Sequence, residues 1–355
     1  MTSSLIELSF EQFVKSLQKD NKLLIIASPN YEERSLGLLE RFLNEGIKKG
    51  EINPENVLFR LFTLHSKHHS VDMLLKLRQQ NIDRTAQLLK KLDCCRENIE
   101  YPDNFDPAVI KSFINDWINE CTSLPVSIIF DMSCMPRKML LVITEVIDTL
   151  RKVPKCGIQE VYAAYTSAVQ YPVPKYPQEI GTINGYFRSR PIQDVISKKN
   201  ISYVVALISP SIQGFEGKLL LDELSNIDGP RFVLVFLRNY DLLTSLTTIR
   251  ANISLLDSID VDVEPFFSFS NSFKELEEIG AREIEKCCLN SHALFLTAPF
   301  GPKPLVLAAY FLCKEAEKKG ALAEIAFISG FQYSSVYSLG KGETTVFKFP
   351  SNVCE

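Results

Sequence analysis

The feature that most constrains this chain is a set of short, unbroken apolar runs, set apart by longer stretches of helical periodicity. KLLIIAS (22–28), VLFRLFT (57–63), VSIIFDM (126–132) and QEVYAAYT (159–166) occupy the first half. SYVVALI (202–208), RFVLVFL (231–237), HALFLTA (292–298) and LAEIAFI (322–328) occupy the second. Continuous rather than alternating hydrophobicity belongs to strands covered on both faces, and strands alternating with helices make a mainly parallel sheet. The expected fold class is therefore α/β. Helices are expected over Glu32–Asn44, Val71–Leu92 with a break near Asn81, Pro107–Cys121, Pro136–Arg151, Gly217–Leu224, Leu242–Asp257, Ser272–Cys288 and Pro302–Lys319, with a last strand over 343–349.

Three segments of the first half match three of the second in the same order. LIIASPNYEERSLGLLERF matches VALISPSIQGFEGKLLLDEL, IIFDMSCMPRKMLL matches LFLTAPFGPKPLVL, and IQEVYAAYTSAVQY matches LAEIAFISGFQYSS. The second match pairs Asp131 with Thr297, Pro136 with Pro302 and Arg137 with Lys303. The expectation is a tandem duplication, residues 1–195 and 196–355, with YPVPKYPQEIGTINGYFRSRP as the crossover. A duplicated unit of this kind behaves as a fused homodimer with a shared ligand site.

Composition narrows the function classes. With 46% hydrophobic and 23% charged residues and a net charge of -4, the chain lacks the basic excess needed to coat nucleic acid, and extensive direct binding is not expected. No basic region followed by an apolar stretch opens the sequence, and the longest apolar run, LVLAAYFLC, is short of the roughly 20 residues that span a bilayer. A cytoplasmic protein with no membrane contact is expected. The nine cysteines are odd in number and lack CxxC spacing, which favours reduced thiols. His65, His68 and His69 in LHSKHHS lack partner carboxylates and read as a solvated loop. No cofactor or metal is expected.

In parallel sheets ligands gather where strands end and helices begin. Four loops meet that description. Ser28, Asn30, Glu33 and Arg34 follow the first strand, and Arg34 offers bidentate phosphate geometry. Asp131, Ser133 and Arg137 lie between IIF and the next helix, with Pro136 expected at the first helical position. The second half supplies Ser209, Gln213 and Lys218, then Thr297, Gly301 and Lys303. A helix N-terminus beside Arg137 or Lys303 attracts an anion such as phosphate. Each residue also has a structural reading: Asp131 or Ser133 as a helix cap, Glu32 and Glu33 as first-turn acids, Arg137 as the partner of a carboxylate. Cys134 lacks an adjacent base and is not read as a nucleophile. No P-loop, GxGxxG or other catalytic motif occurs.

A strand, a small polar turn and a basic residue entering a helix, repeated in two Rossmann-like units, resembles the CRISPR-associated Rossmann-fold (CARF) sensors and their SAVED relatives. The resemblance rests on PFGPKPL, where Gly301 and Lys303 take the ligand-touching places, and on the divergent DMSCMPRKM with Arg137. Pro302 stands where the family has a small hydroxyl residue, and the first-half turn has no glycine. The resemblance implies a non-enzymatic sensor in antiviral defence or stress, binding a nucleotide-like anion between the halves and signalling to a separate effector or complex subunit. Two other readings stand beside it: an enzyme using Asp131 or Glu33 as acid or base, and a scaffold docking a partner through Tyr171–Pro177.

Overall fold

The computed structural model describes residues 5–17, 21–62, 72–90, 99–100, 107–120, 125–153, 157–171, 182–211, 214–225, 231–234, 242–253, 273–329 and 338–350. The chain forms two compact α/β units. The first half runs β1 (Ile6–Ser9), α1 (Phe10–Ser16), β2 (Lys22–Ala27), α2 (Gly37–Arg41), β3 (Val57–Phe62), α3 (Asp72–Lys90), β4 (Ile99–Glu100), α4 (Pro107–Glu120), β5 (Val126–Asp131), α5 (Arg137–Arg151) and β6 (Ile158–Thr166). The second runs β7 (Thr182–Gly185), β8 (Arg190–Pro191), α6 (Ile192–Lys198), β9 (Tyr203–Ser209), α7 (Phe215–Leu224), β10 (Arg231–Leu234), α8 (Leu242–Ala251), α9 (Phe273–Cys288), β11 (Ala293–Pro299), α10 (Pro304–Lys318), β12 (Leu322–Ser329) and β13 (Thr344–Lys348).

Each apolar run becomes a strand for the reason its composition implies. All residues of β5 and β11 are buried, because helices cover both faces of the sheet. In unit 1 one core cluster gathers Phe10, Phe13, Phe42, Phe59 and Tyr162. In unit 2 the cluster includes Ile192, Val204, Leu220, Leu294 and Ala326. Each large side chain contributes about 1.5–3 kcal/mol when fully buried.

Unit 1 has the strand order β1-β13-β6-β5-β2-β3-β4. Its parallel part reads β4-β3-β2-β5-β6, the Rossmann-like order in which the chain reverses direction across the sheet between β2 and β5. Unit 2 has the order β10-β9-β11-β12-β7-β8, with its switch between β9 and β11. In each sheet the strands beyond β6 or β12 are antiparallel.

Several expectations need correction. The units are Met1–Pro172 with Ser335–Glu355, and Val173–Ser334, rather than 1–195 and 196–355. The boundary moves because β7 pairs with β12 and β13 pairs with β6. The expected break near Asn81 is absent, and α3 is continuous. Helix 32–44 is instead a 3-10 turn at Glu33–Leu36, then α2, then a π segment at Phe42–Ile47. Pro136 is the N-cap of α5 rather than its first residue, and Pro304 rather than Pro302 opens α10. Strands β1, β7 and β8, too short to show as apolar runs, were not expected.

Candidate functional site

In unit 1 the switch point brings the loops after β2 and β5 into contact, as Asn30 Nδ2 donates to the Cys134 carbonyl at 3.3 Å. Ser28 is buried beside it, and Asn30 Oδ1 accepts from Tyr31 N at 2.8 Å. Asp131 Oδ1 accepts from Ser133 N at 2.9 Å and from the Ser133 hydroxyl, whose oxygen in turn accepts from Thr166 N at 2.8 Å. Asp131 and Ser133 therefore brace their own turn and tie it to the end of β6. This is the turn-forming role of short polar side chains.

Arg34 departs from its expected place on a phosphate. It is buried, its Nε donates to Glu32 Oε2 at 2.8 Å, and its Nη1 donates to the Tyr165 hydroxyl at 3.3 Å. The guanidinium lies 5.9 Å and 6.0 Å from the ring centroids of Tyr165 and Tyr171. Burial works against its charge, but the Glu32 carboxylate, helped by Tyr165, Cys134 and Tyr171, outweighs that and holds the group well above its ordinary pKa. Ser338 also donates to Glu32. Arg34 is thus a fixed internal cation, and Glu33 points into solvent.

At the β5–α5 turn, Arg137 is the first helical residue and half-buried, and Lys138 is exposed. No side chain caps α5. The N–H groups of Arg137, Lys138 and Met139 precede its first intrahelical bond, which Leu140 N makes to the Pro136 carbonyl at 2.9 Å.

Unit 2 builds the corresponding loops differently. Gly301 N donates to the Ser209 carbonyl at 2.9 Å. A Cβ on Gly301 would lie 2.9 Å from Ser209 Oγ and 3.0 Å from both Leu305 Cδ1 and the Pro210 carbonyl oxygen, so close approach requires the glycine. Phe300 N donates to Ala298 O, Leu305 N to Pro302 O and Val306 N to Lys303 O. Pro302 and Pro304 have no N–H, so the turn offers few backbone donors to a ligand. Thr297 turns away, exchanging a hydrogen bond with Cys313 Sγ at 3.3 Å. Lys218 lies on the exposed face of α7, and Gln213 falls outside the described residues. The structure therefore brings Ser209 and Gly301 together, while Thr297 is engaged with Cys313 and Lys218 is exposed.

Two residues absent from the expected site hold its loops in place. Asn81, in the middle of α3, donates from Nδ2 to the Asn30 carbonyl at 2.6 Å and to the Glu32 carbonyl at 3.3 Å. Asn252, just after α8, donates from Nδ2 to the Ser211 carbonyl at 2.7 Å. The signal in the first case is an asparagine within a helical pattern, whose amide serves loop carbonyls instead of marking a break. Ser211 also donates to the buried Glu216 and accepts from Gly214 N at 3.3 Å.

Burial pushes the Cys287 thiol up to about 12 and also raises that of Cys313, which disfavours the thiolate at both. Among the described residues no group of His, Cys, Asp and Glu could hold a metal, and His65, His68 and His69 lie outside them. Among the described residues no helix is long and apolar enough to cross a membrane.

No family model and no curated protein matches the chain. Among solved structures it is similar to a functionally unknown protein from Pseudomonas aeruginosa PAO1, at 9% identity and TM-score 0.24, covering 87% of this chain and 93% of that one. The cytoplasmic domain of a prokaryotic cation chloride cotransporter follows at 12% identity and TM-score 0.23, covering 87% and 96%. A universal stress protein from Archaeoglobus fulgidus DSM 4304 gives 12% identity and TM-score 0.22, covering 85% and 94%. At such scores these likenesses carry no argument, and the fold class rests on the strand order described above.

Proposed function

We propose that the chain is a non-enzymatic sensor that binds a nucleotide-like anion at the β5–α5 turn of unit 1. The observation that carries this reading is an uncapped helix N-terminus at the topological switch point, with Arg137 first and Lys138 second in the helix. The positive end of α5 and the two cations favour a phosphate there. Of the carboxylates in these loops, Glu32 is paired with the Arg34 cation and Asp131 is engaged by Ser133 within its own turn.

The GPKP turn of unit 2 directs Gly301 N to the Ser209 carbonyl and has two prolines without an N–H, so it offers an anion fewer backbone donors than the start of α5. Within this proposal the resemblance to CARF and SAVED sensors supplies the setting, antiviral defence or stress, and a separate effector as the recipient of the signal. Catalysis is disfavoured by the engagement of Asp131 in its own turn and the exposure of Glu33.

Isothermal titration with a panel of linear and cyclic nucleotides tests the reading. Arg137→Ala is expected to weaken the best binder about tenfold or more, the scale of one charge-assisted hydrogen bond, with an unchanged Tm. Unchanged affinity in that variant, or no binding across the panel, overturns it.

A further inference from the structure

In unit 1 the strands β1, β13, β6, β5, β2 and β3 lie side by side, and in unit 2 the corresponding row is β8, β7, β12, β11, β9 and β10. The sense of every neighbouring pair agrees. In each row the first two pairings are antiparallel and the next three are parallel. Five strands also correspond in chain order, β1, β2, β3, β5 and β6 with β8, β9, β10, β11 and β12. The helices that follow the first of these agree as well. Ser9 caps α1 and pairs with Thr345, while Pro191 caps α6 and pairs with Asn184.

The sixth strand breaks the correspondence with chain order. β7 follows β6 in sequence but pairs with β12, and β13 follows β12 but pairs with β6. A hydrogen bond to the loop after β2 and after β9 gives an independent sign of equivalence. Asn81 Nδ2 reaches the carbonyl of Asn30, two residues after Ser28, and Asn252 Nδ2 reaches the carbonyl of Ser211, two residues after Ser209.

We infer that the chain consists of two copies of one unit fused in tandem, which exchange their last strands reciprocally: β7 completes the sheet of the second copy and β13 completes the sheet of the first. Exchange of an identical element between protomers is a low-cost route to a dimer, and a covalent link makes the exchange intramolecular. The unexchanged alternative places β7 on β6 and β13 on β12. It is the pairing that local hairpin logic favours, since sequential strands usually neighbour one another. The inference does not depend on the ligand proposed above.

Cysteine pairs in the full-length protein separate the two pairings. Thr166 and Thr344 are cross-strand partners whose hydroxyls lie 2.9 Å apart, and Ser329 pairs with Thr182. The double variants Thr166→Cys with Thr344→Cys, and Ser329→Cys with Thr182→Cys, are oxidised, denatured and digested without reduction, and the linked peptides are identified by mass spectrometry. Both disulfides are expected to form. The unexchanged pairs, Thr166→Cys with Thr182→Cys and Ser329→Cys with Thr344→Cys, are expected to stay reduced. Disulfides in the second set and not the first overturn the exchange, as does their absence from both members of the first set.

Equivalence of the copies is read separately by hydrogen exchange. Asn81→Leu is expected to speed exchange over residues 28–36, and Asn252→Leu over residues 209–217. An effect in one copy without its counterpart in the other overturns the equivalence.

Discussion

Glu324 offers the sharpest test of how unit 2 holds its outer strands. Its side chain is fully buried on β12, yet four donors reach it. Oε1 accepts from Phe187 N at 2.7 Å and from Ile325 N at 3.0 Å, while Oε2 accepts from Arg188 Nη1 at 3.1 Å and from Arg188 N at 3.2 Å. Replacement by glutamine keeps the shape but turns one oxygen into an amide nitrogen. Either orientation then sets that nitrogen against two N–H groups, so two hydrogen bonds are lost and their donors are left unsatisfied in a partly buried place. At about 1–3 kcal/mol for each unsatisfied buried donor, with some relief from removing a buried charge, the loss is about 2–4 kcal/mol. For a unit of this size that lowers Tm by roughly 5–15 °C. Differential scanning calorimetry of Glu324→Gln measures it, with amide exchange at Phe187 and Arg188 as the local readout. A Tm within about 2 °C of wild type, with both amides still protected, would refute the reasoning.

Glu324 also sets a pH dependence. Burial raises its pKa above the ordinary 4.5, against the lowering effect of the Phe187, Ile325 and Arg188 bonds. A raised acid contributes stability that is present below the unfolded value and fades as pH rises through the folded one, so the wild-type Tm is expected to fall as pH rises through that range, in melts taken across it. Gly214→Ala combines a φ of +80° with a Cβ only 2.2 Å from the Ala251 carbonyl oxygen, and a loss of about 2 kcal/mol or more is expected in urea unfolding; a neutral variant would contradict the close approach. Gly37→Ala, whose Cβ would lie 2.5 Å from the Thr166 side chain, is expected to cost about 1–3 kcal/mol as an overpacked core does, and Thr166→Ser in the same chain is expected to recover part of it. Among the thiols in the described residues, Cys288 is exposed while Cys134, Cys287 and Cys313 are buried, so native alkylation followed by mass spectrometry is expected to label Cys288 well before the other three.

The strand positions were legible because they depend on local composition. VSIIFDM, SYVVALI and HALFLTA become β5, β9 and β11 with ends shifted by a residue or so, since a run of apolar residues buried on both faces needs no tertiary information to announce itself. Outer strands were a different matter. TING, which forms β7, contains an asparagine and a glycine that disfavour strands, and its place in a sheet comes from pairing with β12 and from Glu324 gripping the turn that follows. The loops that follow β2, β5, β9 and β11 could be placed from the sequence, yet the contacts made within them could not. Whether Arg34 meets a ligand or Glu32 depends on Tyr165, Tyr171 and Ser338, residues far off in sequence. Asn81 was visible as an oddity and misread, because only the folded loop shows which carbonyls it serves.

The placement of β13 also bears on the order in which a ribosome can finish this protein. The sheet of unit 2 needs nothing beyond Ser329, whereas that of unit 1 stays two strands short until Lys348 has emerged, because β1 joins it through β13. Domains in most chains mature from the N-terminus as synthesis proceeds. Here the N-terminal unit, though translated first, would be the last to close, leaving the β6 edge open for as long as it takes to make nearly the whole remaining half of the polypeptide.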